Sequence, residues 1–186
     1  MKERLAAAKS LPSAPAFRLP EGRGLVKQWS LDELVALAEN PANRGSTEQG
    51  RRWYSAAGCA ACHTFAGEGG AVGADLTAVA ARMSTRELFE AIVDPSKEIS
   101  DQYGSFVVRR RDGSQVQGRI VNYTPGAIHV SENLLEPAVV TKIPEDEIES
   151  IARSKASLMP AGLLNVLEGD EILDLIAYLK SGISRP

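Results

Sequence analysis

The chain has 186 residues, room for one or two domains with a buried core, and its 44% hydrophobic and 24% charged content argues against disorder. Its longest apolar stretches are a handful of residues, short of the ~20 that a bilayer crossing needs. A net charge of −3 and only 5% aromatic residues argue against non-specific nucleic-acid binding, base stacking or a carbohydrate platform, and two cysteines exclude a disulfide-rich scaffold.

Residues 1–29 read as a tether. Leu11-Pro12-Ser13-Ala14-Pro15 and Leu19-Pro20-Glu21-Gly22 break any helix, and no periodic apolar face develops. The apolar run 5–8 is cut by Lys9, too short for the hydrophobic region of a signal peptide. Order is expected from Ser30, where Ser30 and Glu33 form a capping box ahead of Leu31, Leu34, Val35 and Leu37, and Asn40-Pro41 ends the helix. A second capping box, Ser46 with Gln49, opens a helix through Trp53 and Tyr54 towards Gly58. Glycine-rich sequence follows over 67–73. It lacks a preceding strand and a following Lys-Ser/Thr, so it is not a phosphate-binding loop. The run 78–83 is helix-like. Ser84 with Glu87 starts a further helix that Asp94-Pro95 stops. A last helix runs from about 169 to 181 on Ile172, Leu173, Leu175, Ile176 and Leu179, with Gly182 as C-terminal cap.

Between these helices the period changes. Phe106-Val107-Val108, the turn Asp112-Gly113 and the run 116–121 read as a hairpin. Thr124-Pro125-Gly126 turns the chain into 127–131, 138–143 is another β-branched run, and Ile148 with Ile151 supplies a last short strand. Four or five short strands over 103–152 predict a small antiparallel barrel or sandwich. Arg109-Arg110-Arg111 reads as a solvated strand face beside the acidic Glu145-Asp146-Glu147-Glu149 cluster.

Cys59-Ala60-Ala61-Cys62-His63 is the C-x-x-C-H pattern of covalent c-type haem attachment. Two thiols three positions apart can add to the two vinyl groups of one porphyrin, and His63 is then carried under the iron as an axial ligand. A zinc site would need more ligands, and His129, on an expected strand, is the one other histidine. A thioredoxin-like redox pair would follow a strand, whereas this motif follows a helix. For the sixth position the sequence offers Met159, in the loop Leu158-Met159-Pro160, and Met83, whose default reading is a packed core methionine. His129 is a weaker candidate.

A Gly-x-x-x-aromatic helix (Gly50, Tyr54), C-x-x-C-H, Gly73-Ala74-Asp75-Leu76, Met159-Pro160 and a helix with Ile176-Ala177-Tyr178-Leu179 together resemble a class I cytochrome c. Asp94-Pro95-Ser96-Lys97, Ser100-Asp101-Gln102-Tyr103 and Ser157-Leu158-Met159-Pro160, in that order, are similar to the haem-binding domain of large planctomycete and verrucomicrobial proteins. The resemblance implies an α+β chain: a mainly α cytochrome c-like haem domain over 30–102 and 153–186, interrupted by the small β module at 103–152. It implies one covalent haem c on Cys59 and Cys62, iron ligation by His63 and Met159, and a pocket that includes Trp53, Ala74 and Leu76. The family usually has proline where this chain has Ala74, the residue whose carbonyl accepts from the ligand histidine. Alanine keeps the carbonyl and loses the rigidity. The β module also explains why His63 and Met159 stand 96 positions apart.

The function so implied is one-electron transfer, not catalysis, with a redox protein or a fused dehydrogenase as partner and no nucleic acid. A haem-based ligand sensor or peroxidase-like enzyme would instead need a labile sixth ligand. Haem is attached to such motifs outside the cytoplasm, so a periplasmic or otherwise exported location is expected, with the export signal outside this chain.

Overall fold

The structure, a computed structural model, describes residues 19, 21–133, 135–136 and 139–182. Most of the expected tether (1–18 and 20), the start of the 138–143 run and residues 183–186 fall outside that description. Within it the chain is α+β. The helices α1 (Leu31–Glu39), α2 (Thr47–Ala56) and the single turn α3 (Cys59–Cys62) precede a two-stranded hairpin, β1 (Thr64–Phe65) and β2 (Glu68–Gly69). Helix α4 (Thr85–Val93) leads to strands β3 (Phe106–Arg110), β4 (Gln115–Thr124), β5 (Ala127–Ser131), β6 (Thr141–Pro144) and β7 (Ile148–Arg153), and α5 (Gly169–Lys180) closes the fold.

The helix starts follow local chemistry. Ser30 and Ser84 each cap their helix while Glu33 and Glu87 reach back to the capping backbone, so amides with no partner inside the helix are satisfied. Ser46 accepts from the Gln49 amide at the start of α2. Helices α2 and α5 cross in near contact. A Cβ at Gly50 would lie 1.9 Å from the Asp174 carbonyl, so only glycine lets the two backbones touch there. The Asp174 carboxylate accepts from the Ser46 amide at 2.6 Å, which joins the end of one helix to the flank of the other. Below the crossing Tyr54, Phe65 and Tyr178 pack as tilted rings with centroids 4.4–6.1 Å apart, contacts of about 0.5–1.5 kcal/mol each beyond area burial. With Leu34, Phe89, Leu167, Ile172 and Leu175 they form the helical core.

Strands β3–β7 form one antiparallel sheet in the order β6-β5-β4-β3-β7, over a separate core of Val108, Val116, Ile128, Val130 and Ile143. Its edges β6 and β7 are consecutive in the chain, linked only by the 3₁₀ turn Glu145–Glu147. A flat five-stranded sheet would set its edges about 19 Å apart, and that turn spans roughly 8 Å. The sheet therefore curls. The chain enters and leaves the sheet side by side: Phe106 pairs with Arg153, and the Ser154 amide donates to the Ser105 carbonyl at 2.8 Å.

Several local expectations change. The described part of the tether is docked, with the Val26 and Lys27 amides on the Asn165 carbonyl, Trp29 Nε1 on the Leu167 carbonyl, and Arg23 paired with Glu171 at 2.6 Å. Contacts thus begin before Ser30, because Glu171 and Trp29 find partners that no local pattern announces. The start of the glycine-rich stretch belongs to the β1–β2 hairpin, whose two-residue turn Ala66-Gly67 has both φ values positive, at 51° and 82°. The helix-like run 78–83 is a 3₁₀ turn, Val79–Ala81. Strand β6 begins only at Thr141. Ser181 caps α5 in right-handed geometry, and Gly182 is required instead because a Cβ would lie 2.0 Å from the Thr77 carbonyl.

Candidate functional site

The motif Cys59-Ala60-Ala61-Cys62-His63 occupies α3 and the residue that ends it. Cys59 and Cys62, at i and i+3 of one helical turn, share a face, and both are free thiols. His63 leaves the helix in extended conformation and ends the turn that carries the thiols. Two hydrogen bonds hold its backbone: the His63 amide donates to the Cys59 carbonyl at 2.9 Å, and the Tyr54 hydroxyl donates to the His63 carbonyl at 2.8 Å.

The imidazole is oriented by the loop that follows. Its Nδ1 lies 2.8 Å from the Ala74 carbonyl, and a carbonyl can only accept, so Nδ1 carries the proton and Nε2 the lone pair. The loss of rigidity expected from alanine at position 74 has not cost this bond. Gly73 brings the loop close enough, since a Cβ there would sit 2.8 Å from both Cε1 and Nδ1 of the ring. Its own amide donates to the Cys62 carbonyl at 2.7 Å, and the Leu76 amide donates to the Thr64 carbonyl at 2.8 Å. Cys59, Cys62, His63, Ala74 and Leu76 are thereby tied into one backbone unit. Trp53, Cys59 and Leu76 all pack against the helical core.

Burial pushes the Cys59 thiol up to about 12, and the Cys62 thiol is also raised by burial. Neither is poised as a thiolate, the form that thiol–disulfide exchange requires. Among the described residues no three His, Cys, Asp or Glu side chains converge as a metal-ion site. The donor set fits a c-type haem better: two thiols on one face and an imidazole whose Nδ1 is taken up by a carbonyl, which leaves Nε2 for a metal.

The two candidate methionines occupy different settings. Met83 packs against the helical core. Met159 is half-buried in a loop fixed by a turn, its amide donating to Ser157 Oγ and the Ser157 amide donating to Ser96 Oγ, each at 3.1 Å. A cleft of about 260 Å³ opens beside that loop, walled by Trp29, Ile92, Val93, Gly162 and Leu164. Among the described residues no hydrogen bond joins the Met159 loop to the His63 unit. His129 stands on β5 with Nε2 3.1 Å from Thr124 Oγ1, apart from the site. Arg111 donates to the Asp146 carbonyl at 2.9 Å, so the basic run and the acidic cluster of the sheet are neighbours.

Two contributors escaped the reading of the sequence. Tyr54 was legible as the aromatic of Gly-x-x-x-aromatic, but its hydroxyl contact to His63 was not. Arg119, on β4, donates to the Val72 carbonyl at 3.0 Å, a contact across 47 residues that no local signal marks.

A protein-family model described as Cytochrome c matches residues 47–182, a span that takes in the C-x-x-C-H turn, the sheet, Met159 and α5. No curated protein matches the chain.

Proposed function

The chain belongs to the cytochrome c family, and from that premise we propose a mono-haem electron carrier held by Cys59 and Cys62 and ligated at iron by His63 and Met159. Membership implies covalently attached c-type haem as the cofactor and electron transfer as the activity. When bound, the haem supplies a one-electron iron couple, whose potential thioether ligation raises.

The observation that carries the assignment is the bond to the Ala74 carbonyl from Nδ1 of His63, the residue that follows Cys62. It selects the tautomer, aims Nε2 and raises the basicity of the ring as a ligand. Met159 is the methionine that core packing does not occupy, and Pro160 after it keeps its loop extended. Trp53 and Leu76 supply apolar wall, and Ala74 supplies its carbonyl. His63 and Met159 would together fill the two positions of the iron that the porphyrin leaves open, which would leave none for a substrate.

Finer features rest on the same reading. The order of motifs supports the planctomycete and verrucomicrobial type of domain, and with it a redox protein or fused dehydrogenase as electron donor. Attachment chemistry supports an exported location, and among the described residues no helix is long and apolar enough to cross a membrane. The pairing of the first and last strands of the segment, and its separate core, support a haem domain over 30–102 and 153–186 with an inserted module at 103–152. The short link between edge strands supports a barrel-like closure of that module.

The test is denaturing mass spectrometry of protein made in a host that matures c-type cytochromes, combined with the ferric absorption spectrum. One haem of added mass and a methionine–iron charge-transfer band are expected. Unmodified thiols would overturn the attachment, and a high-spin ferric spectrum would move the protein to the ligand-sensing class.

A further inference from the structure

We propose that Arg119 is a positioning residue for the axial histidine: from the β sheet, its guanidinium locks the Val72–Gly73 peptide that sets the His63 ring. The proposal rests on the haem reading above. The Val72–Gly73 peptide is gripped at both ends. Its N–H donates to the Cys62 carbonyl at 2.7 Å, and its carbonyl accepts from Arg119 Nη1 at 3.0 Å. The Gly73 Cα lies directly against the imidazole, and the next residue supplies the carbonyl that receives the Nδ1 proton. Rotation of this one peptide plane would move both contacts together. Donation to its carbonyl also polarises the same peptide, which strengthens the N–H bond to Cys62.

The loop needs such a clamp. Residues 71–73 form bends with no ladder of their own, and position 74 is alanine, without the fixed φ of proline. Arg119 is well placed to act from outside, because its backbone is held in the sheet opposite Ser131, beside the pair Ile120–Val130. Among the described residues it makes the only hydrogen bond from strands β3–β7 to the 59–76 segment. Its charge sits on the carbonyl of Val72, two residues before the carbonyl that receives the His63 proton, and a cation near the iron would disfavour its oxidised, more positive state. The sheet is thus a strut against the proximal loop.

The test compares Arg119→Ala, Arg119→Gln and Arg119→Lys in the full chain, by native-state amide exchange, haem mass and midpoint potential. A charge-assisted hydrogen bond contributes about 1.5–3 kcal/mol, so exchange at the Gly73 amide should quicken at least ~10-fold in the alanine variant. The change should be confined to residues 70–76, the potential should fall, covalent haem should remain, and lysine should restore the potential and part of the protection. Unchanged exchange and potential in Arg119→Ala would overturn the proposal. Equal acceleration throughout β4 and β5 in both the alanine and glutamine variants would also overturn it, because Arg119 would then only stabilise the sheet. Wild-type protein without covalent haem would overturn the electron-carrier reading instead, and the exchange comparison would still judge Arg119.

Discussion

The helical part and the β sheet are stabilised by different means. The helical core is built from aromatic rings and from backbones in contact, with Gly50 against Asp174 and Gly182 against Thr77. Every residue proposed to hold the haem lies in this part or in its loops. The sheet has a smaller core of aliphatic side chains, with no thiol or methionine among its described residues, and a strand-face histidine bonded to threonine. The comparison teaches that chemistry and close packing coincide here. Where the backbone runs so close to a ring that a Cβ would lie 2.8 Å from it, as at Gly73 against His63, glycine is required.

The largest way to sharpen the contrast is Cys59→Ala with Cys62→Ala. Covalent haem should vanish, and the helical signal should lose its cooperative melting because a large apolar void opens beside Trp53 and α5. The sheet should keep its own protected amides. Mass spectrometry and amide exchange resolved by region check this, and a native-like helical transition would show that haem is not part of that core. Next in size is Met159→Ala, which should retain covalent haem, lose the methionine band, lower the potential and admit carbon monoxide or azide. Loss of the band in Met83→Ala and not in Met159→Ala would exchange the two assignments.

Ile143→Ala tests the other side. Its buried side chain fills the sheet core, so truncation should destabilise the sheet by about 2–5 kcal/mol. Haem content should stay unchanged, and chemical denaturation followed at the haem and by far-ultraviolet circular dichroism should separate into two transitions. A single shifted transition would show that the two cores unfold as one. The smallest effect is expected at Ala66, which holds φ of 51° beside Gly67 in the β1–β2 turn. Ala66→Gly removes the Cβ penalty and should raise stability by up to about 1 kcal/mol. A fall in melting temperature would mean that its contacts outweigh the backbone strain.

The chain's local signals determined a good part of this protein. Capping pairs such as Ser30–Glu33 and Ser84–Glu87 marked helix starts, because the groups that satisfy a first turn lie three residues apart. Asp112-Gly113 and Pro125-Gly126 marked the strand turns, and C-x-x-C-H carries the proposed attachment, because two thiols and a ligand must share one short stretch. Tertiary structure alone decided what depends on distance through space. Gly182 read as a cap and proved to be a close contact, since the carbonyl of Thr77 enters only when the chain returns. Arg23 and Trp29 read as tether and are held by Glu171 and Leu167, partners more than a hundred residues away. The bond from His63 to Ala74 was foreseen as a carbonyl without proline's rigidity, and the fold makes it through the glycine contact at position 73. Arg119 left no trace in the local pattern, because a guanidinium on a strand identifies its acceptor only once the sheet has curled against the loop.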